Sequence, residues 1–290
     1  MSAKHFSEFS PPHILEPIAP HQHTHTIIIL LGRGSNGPEF AAELFEEQSS
    51  AGLPLRQHFP GLKWIFPTAR KQFSTVFQEE MTEWFQVESL TDPSKREETQ
   101  VEGLLQSTEF VLKLIQSEME FVVSPNRLIL AGISQGCATS IHALLAGSVT
   151  LGAYIGWSGW MPFRTQIEAL SSAESESYLQ SRLISFYESF LHLHHPQRTA
   201  ASSVKQIFHT PVFLGYATDD DVVDVLLGRQ MCRALEKLRI NVLWREYDKC
   251  GHWIKEPAGV DDVIAFLQCN VEAMIDDTQA ASRPDLPVSA

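Results

Sequence analysis

The pentapeptide GISQG at residues 132–136 constrains the fold of this chain more than any other sequence feature. It stands between residues 127–133 (RLILAGI), which predict a strand, and residues 135 to about 146, which predict a helix. A strand can pass into a helix across one residue only where the neighbouring residues are small, because larger side chains would collide in so tight a turn. The two glycines therefore predict a sharp strand–turn–helix with the Ser134 hydroxyl exposed above a sheet.

Predicted strands and helices alternate along most of the chain. Short apolar runs predict further strands at 27–31, 62–66, 151–157, 212–216 and 242–247. Helical spacing or helix-start residues predict helices at 38–48, 98–121, 225–238 and from about 260. Such alternation is typical of a mostly parallel sheet with helices on both faces.

We find no repeat and no linker that divides this pattern. We therefore expect one α/β domain over residues 25–275, preceded by a mobile or surface-hugging lead-in over 1–24. The Ser-rich and His-rich stretch around 160–210 is expected to be an insertion or lid, and the tail over 276–290 to be disordered.

Charge and composition argue against several classes of function. The chain has 22 Lys and Arg against 35 Asp and Glu, a net charge of −13, whereas nonspecific nucleic-acid binding and attachment to anionic membranes need a basic surplus. No apolar run approaches the roughly 18 residues of a membrane span. The N-terminus has no apolar signal core, and the four cysteines form no CxxC pair. We expect a cytoplasmic protein with no nucleic-acid partner and no stable membrane insertion; the oligomeric state stays open.

A serine nucleophile needs a base, and the base needs a partner that fixes its tautomer. Where the serine sits on a strand–turn–helix, an acid and then a histidine follow it along the chain, each on a loop after a strand. One predicted strand leads to Asp219, Asp220 and Asp221, and the next leads to His252. The other late histidines precede the acid: His192, His194, His195 and His209. Ser134 and His252 are therefore the candidate nucleophile and base, and position alone leaves the aspartate open.

Acyl transfer also needs backbone N–H groups directed at the developing oxyanion. We expect one from Gln135, the residue after the candidate nucleophile, and one from Arg33, in the loop after an early strand. Residues 32–37 also match GxGxxG, which is a dinucleotide fingerprint when an acid ends the second strand. Here the second strand ends in Phe66 and Pro67 without an acid, so we favour the oxyanion loop.

The chain resembles the acyl-protein thioesterase, phospholipase and carboxylesterase family, most closely its fungal-type members. The matching segments are 28–40 (IILLGRGSNGPEF), 128–138 (LILAGISQGCA), 158–162 (SGWMP), 211–223 and 251–257 (GHWIKEP). The resemblance implies an α/β-hydrolase fold and cleavage of carboxylic esters or acyl thioesters through an acyl-serine, without metal or organic cofactor. The implied substrates are a lipid-modified protein, a lysophospholipid or a small ester.

The resemblance also assigns site residues. It makes Ser134 the nucleophile, His252 the base and Arg33 an oxyanion donor. The family's acid lies in an HGxxDxxV pattern whose last valine aligns with Val223, and this alignment selects Asp220 among the three aspartates.

Three departures from the family pattern bear on substrate range. Leu31 stands where the family has His, Tyr216-Ala217 where it has His-Gly, and Gln86 where many relatives have Asp. Leucine cannot form a side-chain hydrogen bond, and tyrosine reaches farther than imidazole. We therefore expect weaker support for both catalytic loops. This favours, as alternatives, a specialised esterase for a small pathway metabolite or a low-activity ligand-binding member of the fold.

Two groups of residues have competing interpretations. Trp84, Trp157 and Trp160 either line an acyl pocket, as aromatic residues often do, or pack in the core. The histidines of 192–195 (HLHH) either bind a metal or are solvated. We favour solvated histidines and no metal, because no matching Cys, Asp or Glu set accompanies them.

Overall fold

A computed structural model of the chain describes residues 9–89, 91–147, 149–172, 175–189 and 207–271. Within these ranges the chain builds a seven-stranded sheet in the order β1-β3-β2-β6-β7-β8-β9. The strands are β1 (His13–Leu15), β2 (His25–Leu30), β3 (Leu62–Phe66), β6 (Leu128–Ile133), β7 (Ala153–Trp157), β8 (Val212–Ala217) and β9 (Val242–Tyr247). Among the described strands of this sheet, only β1 pairs antiparallel with its neighbour. The predicted mostly parallel sheet is confirmed.

Helices cover both faces of this sheet, because the apolar residues of each buried strand alternate between two cores. Ile28 and Leu30 of β2 face one core, and Ile27 and Ile29 face the other. The first core is covered by α3 (Val101–Glu118), α4 (Gln135–Ala146), α6 (Glu176–Ser189) and α7 (Val225–Lys237). The second is covered by α1 (Gly37–Leu44), α2 (Leu55–His58) and α8 (Ala258–Asn270). Strand ends therefore lie between two packed layers, where loops can hold a rigid site.

Some elements were not predicted from the sequence. The lead-in supplies the edge strand β1, and residues 71–82 form a hairpin of β4 (Lys71–Ser74) and β5 (Glu79–Thr82). The stretch treated as an insertion contains α5 (Arg164–Glu168) and α6. The histidines at 192–195 and the tail at 276–290 lie outside the described residues. No helix in the described ranges has the length and apolar character needed to cross a membrane.

A buried histidine fixes α4 to the segments around it. His142 is fully buried; its Nε2 lies 3.1 Å from the Pro162 carbonyl oxygen and its Nδ1 lies 3.0 Å from the Tyr187 hydroxyl. Because a carbonyl oxygen can only accept, Nε2 carries the proton and Nδ1 accepts from tyrosine. Burial lowers the pKa of His142 from 6.5 to about 4.

We expect acid to destabilise the fold through His142. The unfolded chain takes up this proton near pH 6.5, and the folded chain resists it until about pH 4, so stability is full above pH 6.5 and falls towards pH 4. Between pH 7 and pH 5 the loss from this group is about 2 kcal/mol. Urea unfolding of wild type and His142→Gln at both pH values measures it: the variant should lose less stability on acidification. Equal losses would show that His142 does not titrate as described.

Candidate active site

The strand–turn–helix at Ser134 is present as predicted. Ser134 adopts φ 55° and ψ −127° between β6 and α4, a strained backbone position for a residue other than glycine. A Cβ at Gly136 would lie 2.2 Å from the Leu30 carbonyl oxygen, and one at Gly132 would lie 2.6 Å from the backbone of Gly136. Only glycine fits at either position. The turn leaves Ser134 partly exposed although the adjacent residues Ile133 and Gln135 are buried.

A carboxylate and an imidazole meet beyond the ends of β8 and β9. His252 Nδ1 lies 2.8 Å from Asp220 Oδ2. Asp220 Oδ1 accepts from the backbone N–H groups of Val222 and Val223, each at 2.9 Å. Burial alone would raise the pKa of Asp220, but the hydrogen bonds from His252 and Val223 lower it below its usual value. The ionised carboxylate places the imidazole proton on Nδ1 and leaves Nε2 as a base.

The other two aspartates form no hydrogen bond or ion pair with His252 in the described residues. Asp219 Oδ1 accepts from the N–H groups of Cys250 and Gly251, both at 3.3 Å, and so supports the loop that carries His252. Asp221 is exposed. The structure therefore brings only Asp220, of the three, to the histidine. Because β6, β8 and β9 are parallel, Ser134, Asp220 and His252 all follow strand ends at one edge of the sheet.

The loop at residues 32–35 lies against the serine. A Cβ at Gly32 would be 3.4 Å from the Ser134 Cβ. The hairpin holds this loop through Thr82, whose carbonyl accepts from Gly34 N–H at 2.7 Å and whose hydroxyl donates to the Ser35 carbonyl at 2.8 Å. Among the described backbone hydrogen bonds of this loop, none uses the Arg33 amide. Gln135 is the first residue of α4, where an amide has no intrahelical acceptor. Both amides are thus able to donate to a ligand.

Trp84 connects these two donor segments. Its Nε1–H donates to the Leu31 carbonyl at 2.8 Å, and its backbone N–H donates to Gln135 Oε1 at 2.9 Å. Gln135 Nε2 in turn donates to the Phe85 carbonyl at 2.6 Å. Trp84 is fully buried, so its position favours a role in holding the donors over one in lining a pocket. These contacts of Trp84, and those of Thr82 with the loop at 32–35, were not predicted from the sequence. They join residues about fifty positions apart, and no local sequence pattern indicates such contacts.

The other two candidate pocket residues are also buried. Trp157 lies in β7 and is 2% exposed, and Trp160 is 9% exposed with its ring edge-to-face with Phe85. Core packing is thus the favoured interpretation for all three tryptophans. In the described residues no group of three or more His, Cys, Asp or Glu is placed to hold a metal ion. The proposed metal alternative at residues 192–195 falls outside that part of the chain.

Comparison with known proteins gives the family. The sequence profile of the phospholipase/carboxylesterase family matches residues 12–181. The chain belongs to this family. It is 26% identical to acyl-protein thioesterase 1 of Yarrowia lipolytica, over 86% of this chain and 93% of that one. It is 28% identical to acyl-protein thioesterase 1 of Gibberella zeae, over 85% of this chain and 91% of that one. The crystal structure of Zea mays acyl-protein thioesterase 2 is similar with a TM-score of 0.63 and 26% identity, over 90% of this chain and 98% of that one.

Membership in the phospholipase/carboxylesterase family confirms the resemblance drawn from the sequence, and with it a hydrolase that acts on esters. Three of the residues that depart from the family pattern, Leu31, Tyr216 and Gln86, have hydrogen-bond partners in the structure. The Leu31 carbonyl is held by Trp84, and the Tyr216 hydroxyl donates to the Gly159 carbonyl at 3.1 Å. Gln86 accepts from Thr75 and also donates to the Glu83 carboxylate. Trp84 thus supports the loop after Leu31, whereas the Tyr216 hydroxyl holds Gly159 and not the Asp220 loop, so weaker support for that second loop stays a prediction.

Tyr216 fits because a glycine faces it. Its ring is fully buried and stacks on Trp244 with centroids 4.8 Å apart. A Cβ at Gly228 of α7 would lie 2.3 Å from this ring. Gly159 is the residue that Tyr216 holds. It packs closely over the strand–turn–helix at Ser134, which we call the elbow, and a Cβ at Gly159 would lie 2.5 Å from the Cβ of Cys137. Tyr216 and Gly228 thus form a matched pair that supports the segment covering the elbow.

We expect Gly228→Ala to destabilise the protein by about 1–3 kcal/mol, because the added methyl group overpacks the Tyr216 ring. Helix propensity alone predicts the opposite, a gain of roughly 0.5–1 kcal/mol, so the sign of the change separates packing from propensity. Chemical denaturation of Gly228→Ala, Tyr216→His and the double variant measures the coupling. The double variant should be more stable than the sum of the single changes predicts. Additive changes, or a stabilised Gly228→Ala, would contradict the pairing.

Proposed function

We propose that this chain hydrolyses carboxylic esters and acyl thioesters through an acyl-Ser134 intermediate, with His252 as general base and Asp220 as its orienting acid. The observation that carries the proposal is the 2.8 Å contact between His252 Nδ1 and Asp220 Oδ2, made at the same sheet edge as the elbow serine. A base oriented by an acid beside a serine is the arrangement that activates a hydroxyl.

Each step follows from this arrangement. Ser134 Oγ attacks the acyl carbon while His252 Nε2 takes the hydroxyl proton, and the charge that develops on the carbonyl oxygen is stabilised by the N–H groups of Arg33 and Gln135. Collapse of this intermediate breaks the bond to the alcohol or thiol, which leaves with the proton from His252. Water then attacks the acyl-Ser134 with His252 again as base, which releases the acid and restores the serine. Asp220 stays ionised and holds the imidazole throughout.

The names of the relatives suggest which leaving group to test first. Several fungal relatives are named acyl-protein thioesterase 1, so an acyl thioester on a protein cysteine is the first substrate class we propose for this chain. Simple carboxylic esters are the second. A thiolate is a better leaving group than an alkoxide. Where a thioester and an alkyl ester both fit the site, Ser134 should therefore be acylated faster by the thioester.

A substrate panel tests this proposal. We expect turnover of p-nitrophenyl esters and of acyl thioesters, each measured at graded acyl lengths, with an optimum length that reports the space available to the acyl chain. An S-acylated peptide and its O-acylated counterpart supply the matched pair for the leaving group. If a folded preparation turns over none of these compounds, hydrolysis at this site is refuted and ligand binding becomes the alternative.

A further inference from the structure

The side chain of Arg33 packs on the hairpin that adjoins its loop. Its guanidinium lies over the ring of Phe77, in the turn between β4 and β5, with Cζ 4.7 Å from the ring centroid. The preceding residue, Gly32, lies against Ser134. The guanidinium therefore lies on the hairpin side of a loop that packs against Ser134.

This guanidinium is half-buried without an ionic partner. In the described part of the chain Arg33 forms no salt bridge, and no hydrogen bond uses its side-chain N–H groups. Burial lowers the pKa of Arg33, and the nearby Glu83 opposes this effect. A guanidinium offers a planar fork of donors that matches carboxylate and phosphate oxygens. A half-buried guanidinium with no ion pair, on the loop next to Ser134, is suited to bind an anion.

The nearest acid does not neutralise Arg33 fully. Glu83 is 1% exposed, and its Oε2 has no hydrogen-bond partner in the described residues. Burial raises the pKa of Glu83 to about 7, with Arg33 and Ser74 acting in the opposite direction. The second carboxylate oxygen of Glu83, Oε1, accepts a hydrogen bond from the uncharged Gln86 side chain. Near neutral pH a substantial fraction of Glu83 is therefore uncharged, and this leaves net positive charge at Arg33.

We propose that the Arg33 guanidinium binds a carboxylate or phosphate group of the substrate, and so selects esters and thioesters that carry a negative charge a short distance from the reacting carbonyl. The inference rests on hydrolysis at Ser134. The charge can belong to the acyl group or to the leaving group. Substrates that carry a carboxylate on one or the other distinguish these two sources.

Matched pairs of substrates test the proposal. For the acyl side we compare mono-p-nitrophenyl glutarate with p-nitrophenyl valerate, and for the leaving group 3-carboxy-4-nitrophenyl butyrate with p-nitrophenyl butyrate. The measured quantity is the ratio of kcat/KM for the charged ester to that for the neutral one. Because the ratio divides out any effect of a substitution on the shared chemistry, it isolates recognition of the charge.

Arg33→Met should lower this ratio roughly tenfold or more in at least one pair, mainly through KM, because a charge-assisted hydrogen bond is lost. Arg33→Lys should retain part of the ratio. Glu83→Gln should raise it, since a competing negative charge is removed at constant shape. Lys113→Met, on the exposed face of α3, is the control for a lost positive charge and should leave the ratio unchanged.

Two results would overturn the inference. One is a ratio that Arg33→Met leaves unchanged in both pairs, and the other is a fall that Lys113→Met reproduces. If either result is obtained while wild type hydrolyses the neutral esters, only the anion site is refuted. Wild type that hydrolyses no ester of either kind refutes the proposed function as well, so the two failures are distinguishable.

Discussion

Ser134→Ala should lower kcat on a p-nitrophenyl ester by on the order of 10⁶, the loss seen when a triad nucleophile is removed. The substitution deletes one oxygen at the partly exposed tip of the turn and leaves both glycines that shape it. Alanine tolerates φ 55° no better than serine does, so the strain is the same in both proteins. We therefore expect unchanged circular dichroism with a lost reaction, which steady-state kinetics with both preparations measures.

The matched control is Ser117→Ala, an exposed serine of α3 whose hydroxyl bonds only within its own helix. Its activity should stay within about twofold of wild type, because surface substitutions away from a site have small effects. Retention of more than a few per cent of activity by a folded Ser134→Ala would remove Ser134 as nucleophile.

Asp220→Asn should lower kcat by roughly 10⁴. The Asn carbonyl oxygen can still accept from Val222 and Val223, which places the amide NH₂ against His252 Nδ1. An NH₂ group can only donate, so it forces the imidazole proton onto Nε2 and removes the base. The dependence of kcat on pH measures this effect. Its acid limb and the value of kcat at the optimum pH together show whether the lost rate comes from the loss of His252 as a base.

The neighbouring aspartates provide the controls for this prediction. Asp221→Asn should be nearly silent, because that side chain is exposed. Asp219→Asn should cost little, since its amide oxygen can keep the 3.3 Å contacts to Cys250 and Gly251. A crippling Asp219→Asn with a mild Asp220→Asn would show that the acid has been assigned to the wrong residue.

The parts of this fold with strong local signals could be predicted from sequence. Helix α4 begins and ends at the predicted residues, 135 and 146, because the glycine-flanked serine leaves one way for the chain to turn. β3 and β9 match their predicted bounds since each is a short run bounded by turn residues. Parallel strands then bring the residues after them to one edge, which is why Ser134 and His252 could be chosen from chain order.

The unpredicted parts depend on contacts between distant segments. β1 is three residues long, and β4 and β5 are mostly polar, so neither carries an apolar period. The acid could be selected only by family alignment, because three successive aspartates look alike until the loop folds one of them onto His252. The fit of Tyr216 against Gly228 joins a strand to a helix, and no single segment encodes it.

Covalent trapping tests most directly whether Ser134 is the acyl-accepting nucleophile. The protein is treated with a fluorophosphonate probe, digested and read by mass spectrometry. We expect one equivalent of label on Ser134, no label in Ser134→Ala, and markedly slower labelling in Asp220→Asn. Label on a different residue, or a folded wild-type protein that takes up none, would contradict it.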